Sequence, residues 1–448
     1  MVKRSIALVG ALMFVLGACG GGGSSATQFG NCGTEGETFQ GSDGLPLICV
    51  MNSAGELMWD VDPNGQLVAG EDGSIAYPTL SSIFSSDCDK EGATSYTAGI
   101  GNASQWSHVV PLGAMVTTHV IPVDHIYVFY PLGSEGSEMG TYSVTVPADG
   151  TIVRVEDFRK SNDYPYPDYR VVIEHSCDLY SVFIHVGELQ GVAAEAAKGA
   201  ADDGEWQGRI AVEAGEVLAD DSTVPGYDFS TFATSAKADL INPASFLQFE
   251  AWRPYTANPL EYFPADIRAE YELKSLRNVE PVGGDLFTDV RDTAQGTWFV
   301  KDTNGNRGLG TEKASYNNRE KVARGHWDTH LAFAPDNVDP KSFIYSIGDW
   351  EGCPCQFMSV GNVDPSTITA GGAPTVVDLV EYSYLAPDGS PMEPNRPVKG
   401  YTLKPGTAIV GSIAFQVNSD GTMTVEKRPG KDAASFAGFG ADALTYVR

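Results

Sequence analysis

Short stretches in which apolar and polar residues alternate recur along most of this chain, and they constrain its fold more than any other feature. Examples are Tyr142-Ser143-Val144-Thr145-Val146, Thr151-Ile152-Val153-Arg154-Val155 and Phe343-Ile344-Tyr345-Ser346-Ile347. A period of two residues is typical of a strand with one buried face. Two other stretches, Val192 to Ala201 and Pro264 to Leu276, have the composition or spacing of helices. The sequence therefore predicts a mainly β protein.

The length of the chain, 448 residues of which 42% are hydrophobic, is sufficient for several domains with real cores. We predict a small Gly-rich β module over residues 31–75 and a β-rich domain over 76–275. A C-terminal β domain, a sandwich or a barrel, is predicted over 280–448. Within it, Asn418-Ser419-Asp420-Gly421 predicts a hairpin turn between two strands.

The charge is strongly acidic, with 58 acidic against 29 basic residues and a formal net charge of −29. Such a chain repels phosphate backbones, so nucleic acid is excluded as a partner.

The first residues have the pattern of an export signal. Lys3 and Arg4 precede an apolar run from Ile6 to Leu16, which is too short to span a bilayer. Leu16-Gly17-Ala18-Cys19 then resembles the lipobox of bacterial lipoproteins, which implies cleavage after residue 18 and a lipid on Cys19. A Gly/Ser-rich tether follows over 19–30. We therefore expect a cell-envelope protein, held on the extracytoplasmic side of a membrane by its N-terminal lipid.

Cysteine usage fits an oxidising compartment, because an even number remains beyond Cys19. Cys32 and Cys49 are the best local pair, since their bridge would stabilise a Gly-rich module with few core residues. Cys353-Pro354-Cys355 is too short to form a comfortable bridge with itself. The pairing of the others, Cys88 and Cys177 included, is left open.

One segment has the spacing of a calcium-binding loop. Asp60, Asp62, Asn64 and Glu71 occupy the first, third, fifth and twelfth positions of such a loop. However, the flanks have the pattern of strands, and Asp62-Pro63-Asn64-Gly65 is an ordinary turn sequence. We favour the turn over a calcium site.

The histidines carry the most information about chemistry. His119 and Asp124 lie on either side of Pro122, which can bend the segment and direct both side chains to one ligand. The alternative is a turn in which Asp124 caps backbone amides. A second segment, Tyr169 to His185, predicts a hairpin whose two histidines lie ~17 Å apart at ~3.4 Å per residue. His185 is the better site candidate, and His175 belongs to the turn.

The order of these segments resembles the lysostaphin-like (LytM-type) zinc metallopeptidases, which cut peptide cross-links of the bacterial cell wall. The resemblance covers roughly residues 110–235. It rests on Tyr142 to Val153 for the family's V-x-A-P-x-x-G-x-V stretch, on Phe183-Ile184-His185-Val186 for its Tyr-x-His-Leu segment, and on Val212 to Leu218 for its V-x-x-G-x-x-I turn.

The resemblance implies zinc ligands at His119, Asp124 and Asp228, and a catalytic role for His185 in orienting water or stabilising an oxyanion. The family's His-x-His motif falls at Gly226-Tyr227-Asp228, so glycine replaces its first, catalytic histidine and Asp228 replaces the last, a zinc ligand. Two functions follow. The first is a non-catalytic module that binds or scaffolds cell wall, glycan or an envelope protein, and the missing histidine favours it. The alternative is a zinc endopeptidase that cleaves peptidoglycan cross-links.

Overall fold

The computed structural model of the chain is mainly β, as the alternating stretches predict. Residues 1–31, which include the signal segment, Cys19 and the tether, lie outside the described residues, as do Asp62, Asn64 and Glu71 of the calcium-like loop. No helix in the described part is long and apolar enough to cross a membrane. The structure describes residues 32–40, 46–51, 57–61, 77–86, 88, 91–131, 142–159, 166–221, 225–238, 240–247, 249–303, 305–308, 327–393 and 396–448.

The N-terminal module is a three-stranded antiparallel sheet in the order β1-β2-β3, formed by β1 (Thr38–Gln40), β2 (Pro46–Met51) and β3 (Leu57–Val61). The predicted Cys32–Cys49 bridge is confirmed, with a Cα–Cα distance of 5.8 Å. The module buries Leu47 and Trp59 in a cluster that also contains Val153 and Val172 of the next domain. Apolar contact with that domain therefore supplements its small core.

The middle domain begins with helix α1 (Leu80–Ile83), and a Cys88–Cys177 bridge ties the segment after this helix to a hairpin turn. Its main sheet has the order β11-β7-β8-β9-β13-β5-β4, with β14 beside β13, and a smaller sheet has the order β10-β12-β6. The strands are β4 (His108–Val110), β5 (Ile126–Phe129), β6 (Tyr142–Thr145), β7 (Gly150–Asp157), β8 (Tyr169–Ser176), β9 (Leu179–Val186), β10 (Glu188–Leu189), β11 (Glu205–Val212), β12 (Val217–Asp221), β13 (Gly226–Ala233) and β14 (Thr256–Ala257).

Both predicted helices of this domain are confirmed, as α2 (Ala193–Asp203) and α3 (Ala265–Lys274). Helix α2 buries the small residues Ala193, Ala196 and Ala200 in the domain core. Helix α3 buries Tyr271, whose hydroxyl accepts a 2.8 Å hydrogen bond from the backbone of Ile100. The core between the two sheets is aliphatic and aromatic, and it fixes the strands that carry the site.

The C-terminal domain is a closed barrel, in which each strand pairs with the next and the last pairs with the first. Asn418 to Gly421 form the predicted turn, with a 2.8 Å bond from the Asn418 amide to the Thr422 carbonyl. The strands are β15 (Gly296–Val300), β16 (His330–Pro335), β17 (Phe343–Trp350), β18 (Cys353–Ser359), β19 (Thr375–Leu385), β20 (Thr402–Val417), β21 (Met423–Pro429) and β22 (Leu444–Val447).

The expectation that Cys353 and Cys355 do not pair with each other is wrong, because they form a disulfide within β18. Residues two apart on a strand project their side chains from the same face. Their Cα atoms are 5.9 Å apart, which lies within the span of ordinary disulfides. The extended strand therefore brings the two sulfur atoms within bonding distance despite the short sequence spacing.

The barrel packs directly against the middle domain. Met115, Ile121 and Phe246 share an apolar cluster with barrel residues such as Phe299. Polar contacts add to it, since the Asn337 side-chain amide donates a 2.7 Å hydrogen bond to the Pro111 carbonyl. The segment that leads to the site, residues 111–125, therefore runs along this interface.

Candidate functional site

The segment before β5 places two adjacent polar residues, Asp124 and His125, in a buried position. A tight turn from Val116 to His119 is closed by two backbone hydrogen bonds of 3.1 and 3.0 Å. The chain then returns alongside itself, with a 3.1 Å bond from the Val123 amide to the Ala114 carbonyl. Both Asp124 and His125 are less than a tenth exposed at the start of β5.

Asp124 holds the ring of His125 in one orientation. Its Oδ1 lies 3.1 Å from His125 Nδ1, and its Oδ2 accepts a 2.6 Å hydrogen bond from the indole nitrogen of Trp252. Burial alone would raise the Asp124 pKa, but the hydrogen bond from His125 and the positive charges of His125 and Arg253 hold it well below its ordinary value. Asp124 is therefore an ionised carboxylate that orients a histidine.

His185 is positioned by an irregularity in the β8–β9 hairpin. Cys177 and Asp178 form a two-residue turn, shorter than the predicted four-residue loop. The strand pairing shifts between Tyr169 and Val171, so His185 is not directly opposite a partner. Its φ of 62° is in the left-handed region, which non-glycine residues adopt at a cost of ~1–3 kcal/mol where function or packing requires it.

A second carboxylate orients His185. His185 Nδ1 lies 3.1 and 3.2 Å from the two carboxylate oxygens of Asp168, a residue that is 1% exposed. Burial disfavours the charged imidazole, but the hydrogen bond to Asp168 and the charge of Asp228 raise the His185 pKa above its ordinary value. The Nε2 atom of His185 is thereby directed away from Asp168.

Asp228 on β13 lies between the two oriented histidines. Its Oδ2 is 3.4 Å from His125 Nε2 and 4.0 Å from His185 Nε2. Burial raises the Asp228 pKa, while the positive charges of the two histidines oppose that rise. His125 Nε2 is buried, and its contact with Asp228 is longer than an ordinary hydrogen bond. A buried polar atom whose contact is this long can gain by binding a ligand.

Asp228, His185 and Asp168 line an open cavity of about 250 Å³, and His125 lies beside it in contact with Asp228. His119 lines it, with its ring centroid 5.8 Å from that of His125, and so do Tyr127 and Tyr166. The His125 and Tyr127 rings meet edge to face at 4.7 Å, with His125 directly before β5 and Tyr127 within it. The cavity is therefore lined by aromatic rings together with the imidazoles of His119 and His185 and the carboxylates of Asp168 and Asp228.

Of the predicted site residues, the structure brings His119, His185 and Asp228 to one cavity. Asp124 does not line the cavity, since both of its oxygens face His125 and Trp252. Direct metal binding by Asp124 therefore stays a prediction that its contacts do not favour. His125 is not among the site residues predicted from the sequence, although a carboxylate directly before a histidine could have indicated that the two interact.

The remaining described histidines of these segments have structural roles. His175 is buried, with Nε2 2.8 Å from Ser181 Oγ and Nδ1 3.1 Å from the Asp149 carbonyl oxygen. Burial lowers its pKa to about 4. In the barrel, His330 Nε2 lies 3.1 Å from the Asn306 carbonyl oxygen.

The donor set can be tested against zinc, which the resemblance implies. Tetrahedral zinc with ligands at ~2.1 Å places its donor atoms ~3.4 Å apart. The His125 Nε2 to Asp228 Oδ2 distance of 3.4 Å meets this spacing. In the described residues, no three His, Cys, Asp or Glu side chains form a metal site as they stand. His125 and Asp228 therefore meet the spacing of two zinc ligands, and the described residues supply no third ligand as they stand.

The site is supported from the barrel side. Asn306 donates a 2.9 Å hydrogen bond to Glu250, and Glu250 forms a 3.0 Å ion pair with Arg253. Arg253 donates in turn to the Pro122 carbonyl oxygen. The loop that carries Trp252 is thus fixed between the barrel and the segment ending at Asp124.

Comparisons with known proteins give little. Neither a protein-family model nor a curated protein matches the chain. Among solved structures, a zinc-containing peptidase from Vibrio cholerae is similar over 44% of this chain and 47% of its own length, with 13% sequence identity and a TM-score of 0.21. The chain therefore spans about half the length of that peptidase.

Proposed function

We propose that the middle domain is a zinc-dependent peptide hydrolase whose site is formed by His119, His125, Asp228 and His185. One observation carries the proposal. Two histidines each have Nδ1 beside a carboxylate and Nε2 directed at Asp228. Metal-binding histidines usually bond their second ring nitrogen to a carboxylate or carbonyl group, which fixes the tautomer and the ring orientation.

In this proposal, His119, His125 and Asp228 hold the ion, and His125 takes the place first predicted for Asp124. Zinc supplies Lewis acidity and lowers the pKa of bound water. The ring centroids of His119 and His125 are 5.8 Å apart. One ion could bind both rings if their side chains rotated slightly. The buried Nε2 of His125, which lies 3.4 Å from Asp228 Oδ2, supplies the donor.

His185 is the proton-handling residue. Its side chain is 41% exposed, so it can exchange protons with solvent and contact a substrate. Because Asp168 and Asp228 raise its pKa, His185 retains a proton to a higher pH than a free imidazole does. A protonated imidazole beside the scissile bond can donate to the leaving amine.

A second candidate, a non-catalytic binding module, is favoured by Gly226. A side chain at Gly226 would collide with the Val128 carbonyl oxygen on the neighbouring strand. The backbone therefore excludes the first histidine of a His-x-His motif at this position. A site without that group can bind a peptide or glycan without cutting it.

Cleavage of purified cell-wall peptides separates the two candidates. For a hydrolase we expect product formation that a chelator abolishes, zinc restores and His185→Ala removes, while the control His108→Gln, which does not line the cavity, retains it. Binding of the peptides without any cleavage by the zinc-loaded chain would establish the second candidate instead.

We infer that the chain is anchored in the cell envelope by lipid on Cys19, with peptidoglycan or an envelope protein as its partner. Cys19→Ser should release it from membranes into the extracytoplasmic soluble fraction. Retention of that variant on membranes would rule out the anchor.

A further inference from the structure

A second and larger cavity, which we call the interdomain cavity, lies between the middle domain and the barrel. Its volume is about 540 Å³, in the range of small-molecule sites, which are mostly apolar and favour domain interfaces. Its walls are largely aliphatic and aromatic. They include Met115, Val116 and Leu276 of the middle domain and Tyr382, Tyr384 and Tyr401 of the barrel.

The interdomain cavity adjoins the hydrolase site through one tight turn. Val116 and Thr117 line the interdomain cavity, and His119 lines the site cavity. The two backbone bonds between Val116 and His119 hold these residues opposite each other, where Cα atoms of such a pair are ~5.5 Å apart. Gln356 of the barrel donates a 3.0 Å hydrogen bond to the Thr117 carbonyl. A peptide that passes His119 can therefore place a neighbouring side chain in the interdomain cavity.

The tyrosines form a rigid wall. The Tyr384 hydroxyl donates a 2.6 Å hydrogen bond to Asp336, and the Tyr401 hydroxyl accepts one of 3.1 Å from the Val398 amide. The Tyr382 and Tyr384 rings meet edge to face at 6.0 Å. Aromatic rings prefer such edge-to-face or offset neighbours, so a ligand ring adds to this arrangement favourably. Tyr382 lines the cavity beside Tyr384, so its ring is in position to contact such a ligand.

The charge around the interdomain cavity is negative and affects which ligands can bind. Glu381 lines the cavity, none of the described lining residues is basic, and the chain as a whole has a formal net charge of −29. An anionic ligand is disfavoured there. Val116 is 42% exposed and lines the cavity, so its side chain is accessible to a ligand there.

We propose that the interdomain cavity is a specificity subsite that binds a neutral aromatic side chain of the peptide whose scissile bond lies at the His/Asp site. This proposal rests on the proposed hydrolase function, and because the peptides of peptidoglycan carry no aromatic residue, it makes an envelope protein the substrate. Peptides with an aromatic residue near the cleavage point are then preferred over peptides of glycine and alanine.

The test uses the purified chain and the neutral fluorescent dye N-phenyl-1-naphthylamine. We expect the dye to bind and to be displaced by N-acetyl-phenylalaninamide but not by N-acetyl-glycinamide. Tyr382→Ala and Val116→Arg should each weaken dye binding about tenfold or more, because they remove or block apolar contact area. Val360→Arg is the matched control, since Val360 is also an exposed valine, at 51%, and does not line the cavity.

The outcomes distinguish this proposal from the proposed function. His185→Ala should abolish cleavage and leave dye binding unchanged. Equal dye binding by the wild type, Val116→Arg and a folded Tyr382→Ala would overturn the subsite, as would displacement by both amides alike. Selective displacement by the phenylalanine amide in a chain that cleaves no peptide would retain the aromatic subsite and reject the hydrolase. Val116 is exposed, so Val116→Arg keeps the test decisive if Tyr382→Ala does not fold.

Discussion

The indole nitrogen of Trp252 donates a 2.6 Å hydrogen bond to Oδ2 of Asp124, a residue 128 positions earlier in the chain. The other oxygen of Asp124 faces His125 Nδ1. The Trp252 ring also stacks on Phe84, at 5.7 Å, and lies under the Arg170 guanidinium, at 4.7 Å. The orientation of His125 therefore depends on a loop that the barrel holds in place.

Trp252→Phe removes the indole donor while retaining an aromatic ring against Phe84. We expect the Asp124 pKa to rise and the free energy of unfolding to fall by about 1–2 kcal/mol, because a buried carboxylate oxygen loses its partner. Thermal or denaturant unfolding measures the second effect. Trp206→Phe, on β11, is the control, and equal stability losses in the two variants would contradict a specific role for this bond.

Asp168→Asn removes the negative charge beside His185. Because the hydrogen bond to Asp168 and the Asp228 charge together raise the His185 pKa, we expect that pKa to fall in the variant. His185 then loses its proton at a lower pH than in the wild type. NMR titration of the imidazole resonances measures the change directly, with Asp157→Asn as the comparison. An unchanged or higher His185 pKa would show that Asp168 does not orient this residue.

The stability of the middle domain should depend on pH through His175. Its pKa is about 4 when folded, against 6.5 for an ordinary histidine, so the unfolded chain binds the extra proton between these values. Stability is therefore full above pH 6.5 and declines as the pH falls towards 4, by up to about 3 kcal/mol. We expect His175→Gln to flatten this slope in denaturant titrations at several pH values. The same slope in the variant would assign the effect to other groups.

Much of the fold was predictable because its signals are local. Helix α2 follows from an alanine-rich run, the last hairpin from Asn418 to Gly421, and the Cys32–Cys49 bridge from a short Gly-rich segment. The site was predictable only in part. Asp168 and Trp252 act through contacts between distant segments, and no spacing in the sequence indicates them.

The Cys88–Cys177 and Cys353–Cys355 disulfides should contribute differently to the free energy of unfolding. Cys88–Cys177 closes a loop with a sequence separation of 89, and Cys353–Cys355 one of only 2. By restricting the unfolded chain, the first bridge should stabilise the fold by about 4–5 kcal/mol and the second by less than half of that. Paired Cys→Ser variants, compared by denaturant unfolding, measure this difference. A larger loss on removing the Cys353–Cys355 bridge would contradict the ranking.

The zinc content of the purified chain, measured by mass spectrometry after loading and dialysis, tests the proposed site most directly. We predict that the wild type retains zinc in equimolar amount and that His125→Ala and Asp228→Ala both lose it. His108→Gln should retain zinc, since His108 does not line the site cavity. A wild-type chain that retains no more zinc than His125→Ala, while remaining folded, would contradict a zinc site at His125 and Asp228.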